Sequence, residues 1–153
     1  MSSILDIDLD YFNLIKNPEQ RFYELLHWGN CPIAFFVEKH HKAYSRWKTY
    51  IKRGTLTTPF HILHVDEHHD MMDERRNLNI ANFMYHAMQM WKDCRVHWLV
   101  DLPIDSPDMW LEDDVWGSFS PRFSVGSTLP HDWPKPDIVS ISTSSNFISN
   151  DLL

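Results

Sequence analysis

Acidic residues and histidines are concentrated in one short segment, HVDEHHD, at positions 64–70. Within it, Asp66, His68 and Asp70 recur at a spacing of two, which places side chains on one side of an extended backbone. Carboxylate oxygens with a neutral imidazole nitrogen suit Mn²⁺, Fe²⁺ or Zn²⁺, and a carboxylate-rich set favours Mn²⁺. A polar loop between a strand and a helix is the alternative, but such charges are costly to bury without a partner. The segment therefore predicts a metal site.

A second acidic segment, LDIDLD, follows the first apolar residues of the chain and holds Asp6, Asp8 and Asp10. Three carboxylates on one face repel one another and raise their own pKa values, and a cation relieves this repulsion. An edge strand with a solvated acidic face is the alternative. The interleaved Ile and Leu residues favour burial, and therefore a cation site.

A third segment, VEKHH at positions 37–41, ends in His40 and His41. One of these imidazoles could complete a site shared with the other two segments. Vicinal histidines that open a helix are otherwise solvated caps, so the pair is informative only together with the carboxylates.

The hydrophobic pattern predicts strands over 2–8, 32–37, 60–65, 96–100 and 137–142. Helices are expected from Asn17 and Pro18 to Gly29, from the second strand to Gly54, and over 80–91, where apolar residues recur at helical spacing. Positions 101–136 hold six of the nine prolines, which predicts mostly loop, a turn of helix near Met109 and a possible lid. Thr143 could cap a final helix.

Strands that alternate with helices predict the α/β class, with a mainly parallel sheet flanked by helices and ligands beyond the carboxyl ends of the strands. A length of 153 residues fits one domain spanning 1–153. The three metal-type segments all follow predicted strands, so the fold would bring them together.

Composition and charge limit the classes of partner and site that the protein is expected to have. The net charge of -7 argues against nucleic acid and agrees with a cationic substrate, although a solvated acidic surface explains the same value. No apolar run reaches the roughly 20 residues needed to cross a bilayer, and the first residues do not resemble a signal peptide, so we expect a cytoplasmic protein without a membrane partner. The two cysteines form no CxxC pair and predict neither a thiolate metal site nor a disulfide.

The D-x-H-x-D segment, the D-x-D pair after an apolar strand and the separate strand-end histidine resemble the ligand set of the arginase and agmatinase (ureohydrolase) superfamily, whose distant relatives are the histone deacetylases. HVDEHHDM, LDIDLDYF and VEKHHKAY are similar to an arginase-like family that includes bacterial peptide arginases, which convert arginine to ornithine in ribosomally made precursor peptides. The resemblance covers 4–12, 37–44 and 60–86, and is weaker at SISTSSNF. In ordinary arginases the D-x-D strand follows the D-x-H-x-D strand, so the order here implies a circular permutation, which preserves spatial neighbours.

The resemblance implies two Mn²⁺ ions and a set of six ligands: Asp8, Asp10, His40, Asp66, His68 and Asp70. Asp66 and one D-x-D aspartate would bridge the ions, with His40 on one ion and His68 on the other. A D-x-D pair shifted by one step, to Asp6 and Asp8, stays open.

The remaining roles are less closely tied to motifs. Asp70 would orient the attacking water, and His41 and His86 are candidate proton shuttles, although His86 could instead pack in the core. Glu38 is a candidate for binding the guanidinium group, and Asn82 matches a family position in the substrate region.

The implied function is hydrolysis of arginine side chains in a precursor peptide to ornithine and urea by a binuclear manganese centre. One alternative is another metal-dependent hydrolase of amidines or amides, either deacetylase-like or acting on a small molecule. A second alternative is a non-catalytic peptide-binding module on the same fold. Metal content and reaction products distinguish the three.

Overall fold

One sheet of parallel strands organises the protein. The computed structural model describes residues 2–72, 77–101, 113–119 and 121–145. In these ranges the strands are β1 (Ser2–Asp8), β2 (Ile33–Val37), β3 (Pro59–Val65), β4 (Arg95–Leu99), β5 (Phe123–Gly126) and β6 (Ile138–Ser142). The helices are a 3₁₀ helix (Leu9–Leu14), α1 (Pro18–Gly29), α2 (His41–Lys52), α3 (Phe83–Met90) and α4 (Asp113–Phe119).

The strands lie in the order β2-β6-β1-β3-β4-β5, and every pairing is parallel. This confirms the predicted α/β class with a parallel sheet flanked by helices. β1 lies directly beside β3, as a site shared by the two acidic segments requires. The circular permutation of an arginase sheet stays a prediction.

Each face of the sheet has its own hydrophobic core, because successive residues of a strand point to opposite faces. Ile4 faces a core that includes Trp47 of α2 and Phe83 of α3. Its neighbour Leu5 faces the other core, with Leu25 of α1. In strands buried on both faces, adjacent residues are apolar instead of alternating with polar ones, and Ile4–Leu5 in β1 and Ile62–Leu63 in β3 show this pattern.

The helix boundaries differ in detail from the prediction. α1 begins at Pro18 as expected, but Asn17 makes no side-chain cap bond. Gly29 is still helical, and Asn30, with a φ of 48°, ends the helix in the left-handed region that asparagine tolerates. Gly54, with a φ of 77°, follows the end of α2 as predicted.

The segment 101–136 was predicted as mostly loop, and its described part also contains two elements that the prediction missed, α4 and β5. β5 is only four residues long, so its pattern is too short to stand out between prolines and glycines. Trp133 packs against the rings of His61 and His97 and so covers the sheet, which does not support a lid. The predicted turn near Met109 and the residues after 145 lie outside the described residues. Among the described helices, none is long and apolar enough to span a membrane.

Candidate metal centre

The acidic and histidine residues meet at the carboxyl edge of the sheet. Asp6 of β1 is paired with His64 of β3 on one side and with Ser140 of β6 on the other. β2 ends beside β6 at Val37, which brings His40, at the start of α2, to the same edge. Parallel pairing alone therefore gathers four strand ends, as the alternation of strands and helices predicted.

Five aspartates and three histidines come together here, in overlapping groups of three whose ligand atoms lie within 4.8 Å of one another. The groups are Asp6–His40–His64, Asp8–His40–Asp66, Asp10–Asp66–His68 and His64–Asp66–Asp70. All are buried except His68, whose side chain is 45% exposed. The six predicted ligands are thus brought into one cluster that could hold metal ions.

His40 stands at the centre of the cluster, with its ring 4.4 Å from the Phe83 ring. Its Nδ1 lies 2.9 Å from Oδ2 of Asp8, 2.9 Å from Oδ2 of Asp66 and 3.5 Å from Oδ2 of Asp70. His40 Nδ1, Oδ2 of Asp66 and Oδ2 of Asp70 are nevertheless buried without a hydrogen-bond partner. Ligand atoms at right angles around an ion, with bonds of about 2.1 Å, lie about 3 Å apart. The spacing and the orphaned atoms therefore fit a cation.

The loop after β3 is not extended, contrary to the simple spacing argument. The strand ends at Val65, and Oδ1 of Asp66 accepts a bond from the backbone N–H of His68 at 2.8 Å. Asp70 has a φ of 60°, and its carbonyl accepts bonds from Met84 N and Tyr85 N at the start of α3. The turn directs Asp66 and Asp70 into the cluster and leaves His68 at its solvent-exposed edge.

β1 ends at Asp8, as predicted. Oδ1 of Asp8 accepts a bond from Asp10 N at 3.0 Å, which starts the 3₁₀ helix. Asp10 still reaches the cluster, since its Oδ2 lies 3.1 Å from Nδ1 of His68. Asp6, Asp8 and Asp10 are only 0%, 3% and 2% exposed, so the alternative of a solvated acidic edge is wrong.

His64 was not among the predicted site residues, yet it is fully buried in the cluster. Its Nδ1 lies 2.9 Å from Oδ2 of Asp6, and its Nε2 lies 3.1 Å from Oδ2 of Asp70. The sequence could have indicated His64, because it lies two residues before Asp66 and so extends the two-residue spacing of Asp66, His68 and Asp70 into β3. Two serines were also missed: Ser140 donates to Asp6 at 3.1 Å and Ser144 donates to Asp8 at 2.7 Å.

The pKa values of the metal-free cluster reflect crowded carboxylates. Burial, together with the charges of Asp66 and Asp8, raises the pKa of Asp10 to about 8. Burial and the charges of Asp70 and Asp8 raise the pKa of Asp66 to about 6. The bonds to Asp10 and Asp66 raise the pKa of His68 to about 11. These pKa values mean that a cation binding here would displace protons from Asp10 and His68.

The acidic and basic candidates next to the cluster lie outside the four groups. Glu38 is exposed, and its carboxylate accepts bonds from the hydroxyls of Thr143 and Ser145 and from Ser145 N. These bonds hold its pKa below the usual range. His41 is half-buried at the start of α2, and burial and the neighbouring lysines lower the pKa of its ring.

Asn82 and His86 are placed by α3. Asn82 is 1% exposed, and its amide binds the backbone of Asn77 and Asn79 at 3.1 and 2.8 Å. These contacts brace the loop before the helix. His86 is half-buried, with its ring 6.1 Å from that of Tyr85, and belongs to none of the four groups.

Comparisons of the chain with protein-family models, with curated proteins and with solved structures find no match. The arrangement of its own side chains is therefore the basis on which a function can be inferred.

Proposed function

We propose that the protein is a binuclear manganese hydrolase that converts arginine side chains, in a precursor peptide, to ornithine and urea. The observation that carries this proposal is that two groups of three ligand atoms, Asp8–His40–Asp66 and Asp10–Asp66–His68, share Asp66. A carboxylate has two oxygens and can join two ions, so the shared residue favours a pair of adjacent cations.

The charge of the ligand groups also supports two ions. The groups that contain Asp66 include four aspartates, Asp8, Asp10, Asp66 and Asp70, with four negative charges when ionised. Two divalent cations neutralise them, whereas one would leave a buried excess of negative charge. Oxygen-rich ligand sets favour Mn²⁺, whereas sulfur-rich ligand sets favour softer metals.

Divalent ions in such a site lower the pKa of water to near neutrality and polarise a substrate atom. The chain's own contribution is to hold and orient the water. Oδ2 of Asp70 is buried, lacks a hydrogen-bond partner and faces His40 Nδ1 at 3.5 Å. An ionised carboxylate there accepts a hydrogen bond from the water and directs its lone pair towards the substrate.

The substrate side of the centre is indicated by exposure. His68 is 45% exposed at the side chain, whereas His40 is 3% exposed, so a substrate approaches from the His68 side. Glu38 presents an exposed carboxylate oriented by Thr143 and Ser145. A planar guanidinium group pairs with such a carboxylate through two parallel hydrogen bonds. The chain charge of -7 also favours a cationic substrate.

The choice of arginine, and of arginine within a peptide, rests on the resemblance of the three sequence segments to peptide arginases. In the reaction, water adds to the guanidinium carbon, the bond from that carbon to the side-chain nitrogen breaks, and that nitrogen gains a proton. The peptide backbone stays intact, and the side chain loses a net one carbon, two nitrogens and two hydrogens as urea forms.

The direct test is to incubate Mn²⁺-loaded protein with arginine-containing peptides and free arginine, and to analyse the products by mass spectrometry and a urea assay. We expect ornithine in the peptide with an equal amount of urea, and no product from an Asp66→Ala control. Cleaved peptide, or acetate released from an acetyllysine peptide assayed alongside, would assign the protein to another hydrolase class. Metal-loaded protein that turns over none of these substrates would favour the binding module.

A further inference from the structure

Asp6 differs from the other aspartates of the cluster in what its oxygens contact. Its Oδ2 accepts bonds from His40 Nε2 at 2.7 Å and from His64 Nδ1 at 2.9 Å, and its Oδ1 accepts a bond from Ser140 Oγ at 3.1 Å. Both oxygens are thus occupied by donors from the chain, at 0% exposure. By contrast, Oδ2 of Asp66 and Oδ2 of Asp70 have no hydrogen-bond partner. The unsatisfied atoms mark where a cation fits, and Asp6 is not among them.

The bond from His40 to Asp6 determines which ring nitrogen of His40 faces the carboxylates of Asp8 and Asp66. Nε2 is engaged by Asp6, so Nδ1 points at Asp8 and Asp66. Metal-binding histidines ordinarily donate their second nitrogen to a carboxylate or carbonyl, which sets the tautomer and the ring orientation. Phe83 packs against the same ring at 4.4 Å and adds a steric restraint.

The bond from His64 to Asp6 extends this restraint to the loop after β3. With Nδ1 held by Asp6, His64 Nε2 faces the carbonyl oxygen of His68 at 3.1 Å. That carbonyl belongs to the turn that carries Asp66 and Asp70. One carboxylate therefore ties together the start of α2 and the turn after β3, two parts of the chain that supply different ligands.

Asp6 is itself held rigidly. It lies between β3 and β6, and Ser140, its partner on β6, is bound in turn by the indole N–H of Trp47 at 3.2 Å. Trp47 is fully buried, so this support is fixed by core packing.

We infer that Asp6 is a positioning residue and not a metal ligand: a shared hydrogen-bond acceptor that orients His40 and, through His64, the turn carrying Asp66 and Asp70. This inference rests on the proposed metal centre and deepens it. It also assigns Asp8 and Asp10, not Asp6 and Asp8, as the D-x-D ligands. A rigid support of this kind keeps ligands in place before an ion arrives.

The first test uses the metal-free wild-type protein labelled with isotopic histidine. We expect NMR to show two ring N–H resonances, His40 Nε2 and His64 Nδ1, that lie downfield and exchange slowly with solvent. His40→Gln and His64→Gln variants assign them. The absence of a protected resonance from either ring would overturn the inference. This measurement does not depend on metal, on turnover or on the folding of an Asp6 variant.

The second test compares Mn²⁺ binding by Asp6→Asn with that by Asp137→Asn, a control that also loses a carboxylate bonded to β1, through Ser3 N, but at the other end of the strand. For Asp6→Asn we expect two ions at saturation with an affinity roughly 10–100-fold weaker, as for other residues that orient metal ligands. The control should bind like wild type.

Loss of one ion from Asp6→Asn at saturating Mn²⁺ would make Asp6 a ligand and overturn the inference. An unchanged affinity would overturn it too. If the wild-type protein shows the expected binding and NMR signals but forms no urea, the proposed reaction fails while the role of Asp6 stands.

Discussion

Oδ2 of Asp66 lies 2.9 Å from Nδ1 of His40, but the two atoms are not aligned for a hydrogen bond. Both are buried and have no hydrogen-bond partner. Two polar atoms that are buried, close and misaligned are expected where both point at a third atom. This relationship between the turn after β3 and the start of α2 is what a cluster that could hold a cation requires.

Added Mn²⁺ should raise the unfolding temperature, because an ion that binds only the folded state stabilises it. At a free concentration 100 times the dissociation constant the gain is about 2.7 kcal/mol. The effect should shrink between pH 8 and pH 6, since His68 and Asp10, with pKa values of about 11 and 8, hold protons that the ion must displace. Calorimetric melting with Mn²⁺ or with chelator measures it. If the melting curves with Mn²⁺ and with chelator coincide at pH 8 and also at pH 6, the cluster is not a metal site.

Asp10→Asn should have opposite effects with and without metal. When chelator removes metal ions, the folded-state pKa of Asp10, about 8, lies above the ordinary value of 3.8, so the Asp10 carboxylate lowers the free energy of unfolding increasingly as pH rises between these values. The variant should therefore be more stable than wild type at pH 8, by at least roughly 1 kcal/mol, and little different at pH 4. With Mn²⁺ it should be the less stable protein. Denaturant unfolding at both pH values tests this, and a variant less stable in chelator at pH 8 would argue against the carboxylate repulsion.

Much of the fold follows from the sequence because β1 and β3 carry adjacent apolar residues, Ile4–Leu5 and Ile62–Leu63, that are buried on opposite faces of the sheet. The position of Asp66 and Asp70 follows from the same strands, whose carboxyl ends share one edge. β5 was missed because Phe123–Gly126 is short and gains its stability from pairing with β4.

Other details of the site depend on packing that the spacing of residues does not reveal. Asp6, Asp8 and Asp10 are equivalent in the sequence, and only the placement of His40 and His64 separates Asp6 from the others. The exposed position of His68 depends on the turn made by Asp66, which a regular two-residue spacing does not predict.

Glu38→Gln should weaken substrate binding and leave metal binding unchanged, because Glu38 is exposed and belongs to none of the ligand groups. Loss of a charged hydrogen bond to a guanidinium group should raise KM roughly tenfold, with a smaller change in kcat. Glu24→Gln, which changes another exposed glutamate, is the matched control. Steady-state kinetics on an arginine peptide decide the point, and an unaltered KM would remove Glu38 from the substrate site.

Asp70→Asn should retain the fold and lose turnover. Asparagine tolerates the left-handed backbone at this position, where φ is 60°. The amide lacks the charge that orients a water molecule, so kcat should fall by about 10²–10³. Circular dichroism and metal analysis monitor folding and ion content. Asp132→Asn, on an exposed loop before β6, serves as the control. Full turnover in Asp70→Asn would show that this carboxylate takes no part in the reaction.

The most direct test of the binuclear centre is to count the bound ions and record the electron paramagnetic resonance spectrum of Mn²⁺-loaded protein. We predict about two ions per chain with the spectrum of a magnetically coupled pair, as for metals about 3.5–4 Å apart in two-metal hydrolases. Asp66→Ala, which alters both proposed ligand groups, should lose both ions, and His68→Ala, which alters one, should keep one uncoupled ion. A wild-type protein that binds no Mn²⁺, or two ions that remain in Asp66→Ala, would contradict the assignment.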